Sequence, residues 1–349
     1  MGKLDGRVAL VTGAGRGIGR AVAQLLADEG ASLVINDLGT GLGGDGQDLS
    51  VAEQAAREID ATGERVIANS SSVTDFDAVG AMVQSAVDAF GRLDIVVNIA
   101  GILRDRMIFN MSEAEYDAVV QVHLMGTFNT VRHAAPIMRA QNYGRIINFS
   151  SVSAWGSPGQ PNYGAAKYGV LGFTATLSNS MNRYGVTANA ILPFATTRMI
   201  DSTPRGQAVL QQTGKTPSEQ AAGTEGDPAN VAPMVAFLST EEAGSVNGHF
   251  FGVRGTQIQM YSHWEMAGVL NAQRRWEPQE IAELYPTTFA PLLPLPEAVQ
   301  VPGSDRPVRG TTAMQADPDS WTTLAPGIDV WERKVYYEAK KALAEDGGQ

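Results

Sequence analysis

The 349-residue chain contains no cysteine. Disulfides, thiolate nucleophiles, iron–sulfur clusters and cysteine-ligated zinc are thereby removed from its chemistry. Histidine is also scarce, and His123, His133, His249 and His263 stand apart without metal-ligand spacing. Charged residues make up 18% of the chain, below the roughly 25% of ordinary soluble proteins. The charge that is present leans acidic, with 37 Asp and Glu against 26 Lys and Arg, for a net −11. Such a surface repels phosphate backbones and anionic lipid, so nucleic acid is not an expected partner. No apolar run approaches the length of about 18 residues that a membrane span needs. The opening Met-Gly-Lys-Leu-Asp sets an acid before the first apolar run, unlike a secretory signal. These absences point to a soluble, cytoplasmic protein.

What is present is a regular alternation. Short β-branched runs at 8–11, 32–36, 65–68, 94–97, 145–149, 187–192 and 249–253 alternate with stretches of helical period at 18–29, 51–59, 76–90, 113–141, 163–184 and 230–238. Near-continuous apolar strands joined by helices indicate a parallel sheet covered on both faces. The expectation is an α/β, doubly wound, seven-stranded parallel sheet of the Rossmann type over residues 1–261, with ligands at the carboxyl edge of the strands. Pro136 would bend or divide the fourth helix. The glycine-rich stretch 39–46 reads as a mobile loop beside an adenosine site. Residues 262–349 differ in kind. Six prolines between 286 and 307 favour an extended segment, and Trp264, Trp276, Trp321 and Trp331 suit docking on the domain or on a subunit interface.

Thr12-Gly13-Ala14-Gly15-Arg16-Gly17-Ile18-Gly19 follows the first strand and opens the first helix. Glycines there permit positive φ and close backbone approach, while free amides at a helix start face a pyrophosphate. Asp37 ends the second strand 18 residues beyond Gly19, where a carboxylate can accept both ribose hydroxyls and would repel a 2′-phosphate. NAD is thus favoured over NADP, although Arg16 could partner a phosphate.

Tyr163 and Lys167 lie four residues apart at the start of a helix, on one face of it. A strand ending Asn148-Phe149-Ser150-Ser151 precedes them, so a serine hydroxyl can converge on the phenol. An ammonium and a cationic nicotinamide near a phenol of ordinary pKa about 10 would favour the phenolate, fitting it to exchange a proton with an alcohol or carbonyl.

In this order the fragments resemble the classical short-chain dehydrogenase/reductase family over residues 5 to about 260. The resemblance rests on Thr12-Gly13 with Gly17 and Gly19, Asn98-Ile99-Ala100-Gly101, the Ser-Tyr163-Lys167 set and Pro193. It implies that Tyr163 is the general acid/base, that Lys167 holds the nicotinamide ribose and lowers the phenol's pKa, and that a serine orients the substrate oxygen. Family spacing points to Ser150, 13 residues before Tyr163, whereas register along the strand points to Ser151, the preferred candidate. The implied NAD contacts are Gly13, Arg16, Gly17, Ile18, Gly19, Asp37, Leu38, Ser72, Val73, Asn98, Ala100, Gly101, Tyr163, Lys167, Pro193 and Thr196 or Thr197. His123 replaces the family's usual asparagine, as a backbone-satisfied core residue or as a proton relay. Ser71-Ser72 stands where the family often has an adenine-binding acid.

Asn36-Asp37-Leu38-Gly39, Val122-His123-Leu124, Gly159-Gln160-Pro161-Asn162-Tyr163 and Pro193 to Met199 are similar to the dehydrogenase part of peroxisomal multifunctional enzyme type 2 and its bacterial relatives. That branch implies oxidation of (3R)-hydroxyacyl-CoA or of 17β-hydroxysteroids, hence a bulky lipophilic secondary alcohol or ketone; no hydratase or sterol-carrier part is expected here. Residues 200–226 are the expected substrate lid, and Trp155 would line the same cleft. The acidic chain, with Arg198, Arg205 and Lys215 as the lid's scattered cations, suits a steroid at least as well as a CoA thioester. The family's subunit pairing implies a homodimer or homotetramer. The alternative from another class is a non-catalytic dinucleotide-binding scaffold.

Overall fold

The alternation in the sequence becomes alternation between two apolar layers. Val8 and Leu10 of the first strand pack with one core cluster, while Ala9 and Val11 pack with the other. Leu33, Ile35, Ile95 and Val97 follow Ala9 and Val11, whereas Val34 and Val96 follow Leu10. Successive strand side chains point to opposite faces, so a strand apolar at every position must be covered on both sides. Each buried leucine, isoleucine or valine contributes about 2 kcal/mol by its removal from water.

The computed structural model describes residues 2–201, 204–263 and 267–289, and three short strands beyond them. They divide into two units: Met1–Ala154 with Gly159–Ser262, and Trp155–Pro158 with His263–Gln349. In the first unit the order is β1 (Val8–Thr12), α1 (Gly17–Asp28), β2 (Ser32–Asn36), α2 (Ser50–Ile59), β3 (Val66–Asn69), α3 (Phe76–Phe90), β4 (Ile95–Asn98), α4 (Glu113–Val120), α5 (Gly126–Gln141), β5 (Gly144–Phe149), α6 (Pro161–Met181), β6 (Val186–Phe194), α7 (Arg198–Asp201), α8 (Pro204–Thr213), α9 (Ala232–Leu238), β7 (Phe250–Arg254) and β8 (Gln257–Tyr261). The sheet runs β3-β2-β1-β4-β5-β6-β7-β8. Its order reverses between β1 and β4, which opens a crevice at the strand ends.

Two expectations are corrected here. The seven parallel strands are joined by an eighth, β8, antiparallel to β7 across a two-residue turn. Gly255 supplies the positive φ of 53° that such a turn requires. The fourth helix is divided, but not at Pro136, which α5 carries in its interior. The break is a π-helical turn, Gln121–Met125, that separates α4 from α5. Elsewhere the boundaries differ by at most three residues, as fraying ends do.

In the second unit, α10 (Pro278–Thr288) begins at a Glu277–Glu280 capping box, so the stretch expected to be extended starts as helix with Pro286 inside it. Strands β9 (Ala298–Gln300), β10 (Pro307–Thr311) and β11 (Met314–Ala316) form an antiparallel sheet. Trp264, Trp321, Trp331 and most of the proline run lie outside the described residues. No helix among the described residues is long and apolar enough to cross a membrane.

Candidate active site

A cleft of about 440 Å³ runs along the carboxyl edge of β1, β2, β4 and β5. Its two ends are built by different chemistry.

At one end β1 turns into α1. Gly13 (φ 66°) and Gly17 (φ 54°) hold conformations that side chains resist. A Cβ at Gly13 would lie 2.9 Å from the Ala100 backbone, and one at Gly19 would lie 2.0 Å from the Gly13 carbonyl, so the turn is closed by contact. No side chain caps the N-terminus of α1, which leaves its dipole and free amides to the cleft. Thr12 Oγ1 accepts hydrogen bonds from the amides of Ile99 and Ala100 at 3.1 and 3.3 Å, pinning the end of β1 to the end of β4.

Asp37, directly after β2, accepts from Gly15 N at 2.9 Å and from Gly39 N at 2.8 Å. A carboxylate offers about four acceptor sites, so capacity remains for two hydroxyl donors. The arginines converge on the same place. Arg198, on α7, has its pKa lowered by burial and by the charge of Arg16, against the pull of Asp37. The stretch 39–46 is tied to the segment after β4: Leu103 N donates to Leu42 O at 3.0 Å, and Arg104 Nε donates to Gly43 O at 2.7 Å.

At the other end stand the groups that could move a proton. Lys167 is buried, and its Nζ donates to Phe149 O at 2.6 Å. Burial pulls its pKa down to about 7. Its Nζ lies 5.6 Å from the centroid of the Tyr163 ring. Burial pushes the Tyr163 phenol up to about 12, opposed by a hydrogen bond with Ser151 and assisted by the charge of Asp105. The expected lowering of the phenol by Lys167 is therefore not produced by the protein's own groups. Desolvation disfavours the charged form of both residues.

The two serines have different partners, and Ser150 is the one that lines the cleft. Ser150 donates its hydroxyl to Lys167 O and its amide N–H to Ile191 O, both at 2.8 Å, so it braces α6 against the sheet. Ser151 Oγ accepts from Ser153 N at 3.1 Å, and the hydroxyl lies near enough to the Tyr163 phenol to favour its phenolate. Asn98 spends its side chain on Asn148 and Thr130, at 2.9 and 2.5 Å, and ties β4 to β5 and α5. Thr196 is held through its amide by Gly226 O at 2.7 Å, whereas Thr197 lines the cleft beside Gly17. Leu38, Ser72, Val73, Gly101, His123 and Pro193 also line it, as do Gly13, Arg16, Gly17, Ile18, Gly19, Asp37 and Ala100. Trp155 belongs to the second unit.

A family model for the short chain dehydrogenases matches residues 7–208. The chain belongs to that family. It is 38% identical to hydroxyacyl-CoA dehydrogenase ChsB1 of Mycobacterium tuberculosis, over 82% of this chain and 90% of that protein. It is 41% identical to peroxisomal multifunctional enzyme type 2 of Mus musculus, over 71% of this chain and 32% of the relative. Its fold matches the crystal structure of a short chain dehydrogenase from Mycobacterium avium with a TM-score of 0.69 and 42% identity, covering 81% of this chain and 94% of that one. The chain spans about a third of the length of the multifunctional relatives it matches. It is accordingly an oxidoreductase of the short-chain dehydrogenase/reductase type.

Sequence reasoning missed Arg104, Asp105 and Asn162, which surround Tyr163 or the cleft wall. A local signal existed for one of them: Asn162 precedes the tyrosine at the first turn of a helix, where side chains commonly satisfy free amides.

Proposed function

We propose that this chain is an NAD-dependent dehydrogenase of bulky secondary alcohols, of the (3R)-hydroxyacyl-CoA type. The reading is carried by one observation: the Tyr163 phenol shares a cleft with the Lys167 side chain and with the glycine turn closed by Asp37. The closed turn, the uncapped helix start and the spare acceptor sites of Asp37 fit a dinucleotide with a free 2′-hydroxyl. When bound, NAD would supply the hydride acceptor. Ser151 would orient the substrate oxygen, and Tyr163 would take its proton as the alcohol becomes a ketone, or return it in reduction. Lys167 would donate to ribose hydroxyls. The name of the hydroxyacyl-CoA dehydrogenase relative supports the thioester substrate. The net charge of −11 and the carboxylate of Asp105 near the phenol favour a second reading, a neutral substrate such as a 17β-hydroxysteroid.

NADH absorbance followed with a (3R)-hydroxyacyl-CoA and with a 17β-hydroxysteroid tests both readings, and turnover of neither removes the substrate claim. Tyr163→Phe should bind NAD and lose activity by about 10³-fold or more, since proton transfer by a positioned group contributes about 10²- to 10⁴-fold. Retained activity would place the proton path elsewhere. Because the phenol is held protonated, alcohol oxidation should accelerate as pH rises from neutrality, whereas ketone reduction should not.

A further inference from the structure

The residues around Tyr163 are anchored in an unusual way. Directly after β4, the backbone of Ile102 presents both its groups to one imidazole: Ile102 O lies 2.8 Å and Ile102 N lies 3.2 Å from His123 Nε2. The shorter contact assigns the proton to Nε2 as donor to Ile102 O. Nδ1 has no hydrogen-bond partner among the described residues. The imidazole is 2% exposed and meets the Tyr163 ring edge-on, with centroids 5.0 Å apart and planes at 88°. Such a pair prefers that geometry and resists rotation of either ring.

Two features of the chain make room for this contact. His123 lies in the π turn between α4 and α5. One inserted residue advances the side-chain phase by about 100° relative to an unbroken helix, which changes the face on which later residues fall. Gly101 then clears the space, because a Cβ there would lie 2.2 Å from His123 Cε1.

Two residues further on, the same segment holds Tyr163 by its backbone. Asn162 is fully buried, and its Nδ2 donates to Arg104 O at 2.9 Å and to Glu115 O at 3.1 Å. Its Oδ1 accepts from Tyr163 N at 2.7 Å. That amide lies in the first turn of α6, where no intrahelical acceptor exists. The ring of Tyr163 and its main chain are thus both referred to residues 102–104.

We propose that His123 and Asn162 are positioning residues that together fix the catalytic phenol, His123 as a neutral aromatic wedge against its ring and Asn162 as a clamp on its amide, both seated on residues 102–104. The proposal rests on the reading of Tyr163 as acid/base. It also gives His123 a role other than carrying a proton: burial and the charge of Lys167 hold its pKa well below the ordinary 6.5, so the ring stays neutral at working pH. The groups facing Tyr163 from the packed elements are Lys167 on α6, Ser151 after β5, Asp105 after β4 and His123 itself.

The test compares His123→Ala, His123→Phe, Asn162→Ala and Tyr163→Phe in the full chain, with kcat, KM, NAD affinity by fluorescence quenching, and the pH profile of kcat/KM. His123→Asn replaces the alanine variant if circular dichroism finds that one unfolded. His123→Ala and Asn162→Ala should lower kcat about 10- to 100-fold, the scale of an ångström's misplacement, with KM and NAD affinity within about twofold. In His123→Ala, water reaches the phenol, so the limb of the pH profile that it governs should move to lower pH. His123→Phe keeps an aromatic edge without a nitrogen and should return kcat to within about fivefold of the parent. The proposal is overturned if His123→Phe is as impaired as His123→Ala, if the pH limb stays in place, or if KM rises and NAD affinity falls in step with the loss of kcat. Inactive Tyr163→Phe beside fully active His123→Ala and Asn162→Ala overturns the positioning claim alone. Active Tyr163→Phe overturns the acid/base reading beneath it.

Discussion

Lys167→Met should make the ligand-free protein more stable while abolishing its activity, and the gain should depend on pH in a defined sense. The Lys167 ammonium is buried with Phe149 O as its hydrogen-bond partner, and its pKa falls from 10.5 to about 7. At about 1.36 kcal/mol per pH unit, the charged lysine destabilises the folded chain by about 5 kcal/mol at most. Between pH 7 and 10.5 the unfolded chain binds the proton that the folded chain has lost. Stability of the parent protein should therefore rise with pH across that window, and this group should leave it level below. Tyr163, raised from 10.0 to about 12, works in the opposite direction, but only above pH 10. Methionine keeps the length of the side chain and removes the charge. It also strips the bond from Phe149 O, which costs about 1–3 kcal/mol. The net gain should be about 2 kcal/mol or more near pH 6.5, shrinking and then reversing by pH 9.5, where the parent lysine is neutral and keeps its bond. Urea unfolding followed by circular dichroism at pH 6.5, 7.5, 8.5 and 9.5 reads both slopes. A parent curve flat over that range, or a methionine variant less stable at pH 6.5, would refute the reasoning.

Two further substitutions separate roles that the sequence left together. Ser151→Ala removes the hydroxyl that meets the phenol and should lower kcat about 100-fold, whereas Ser150→Ala removes a brace on α6 and should cost about 1 kcal/mol of stability with kcat within a few-fold; equal kinetic losses would mean that the serines share the task. Asp37→Ala should raise the NAD Kd about 10-fold or more and improve NADP binding, because Arg16 and Arg198 would then face the 2′-position without an opposing carboxylate. Unchanged preference by isothermal titration calorimetry would show that Asp37 serves the glycine turn alone.

The fold was legible because its signals are local and repeated. Leu10, Val34 and Val96 answer one layer while Ala9, Leu33 and Ile95 answer the other, and strands apolar at every position admit few arrangements other than a covered parallel sheet. Strand β8 was not legible, since all but Tyr261 of Gln257–Tyr261 is exposed and only Gly255 marks the turn before it. The site was legible as a set of residue types but not as a set of partners. Ser150 and Ser151 are adjacent and chemically identical, and only the pleat decides that one hydroxyl meets Lys167 O and the other the phenol.

The electrostatics of the ligand-free site were not legible for a related reason. Sequence places an ammonium four residues from a phenol and so predicts attraction, but burial is a property of the whole fold. Here it raises Tyr163 and lowers Lys167 together. Desolvation thereby favours the neutral form of both groups, leaving the phenol protonated and the lysine only partly charged near neutral pH. A bound molecule that brings hydrogen-bond acceptors to Lys167 Nζ would favour its ammonium, and that ammonium in turn would favour the phenolate. Binding and acid/base readiness are then linked through Lys167, so the proton chemistry of Tyr163 should depend on what occupies the far end of the cleft.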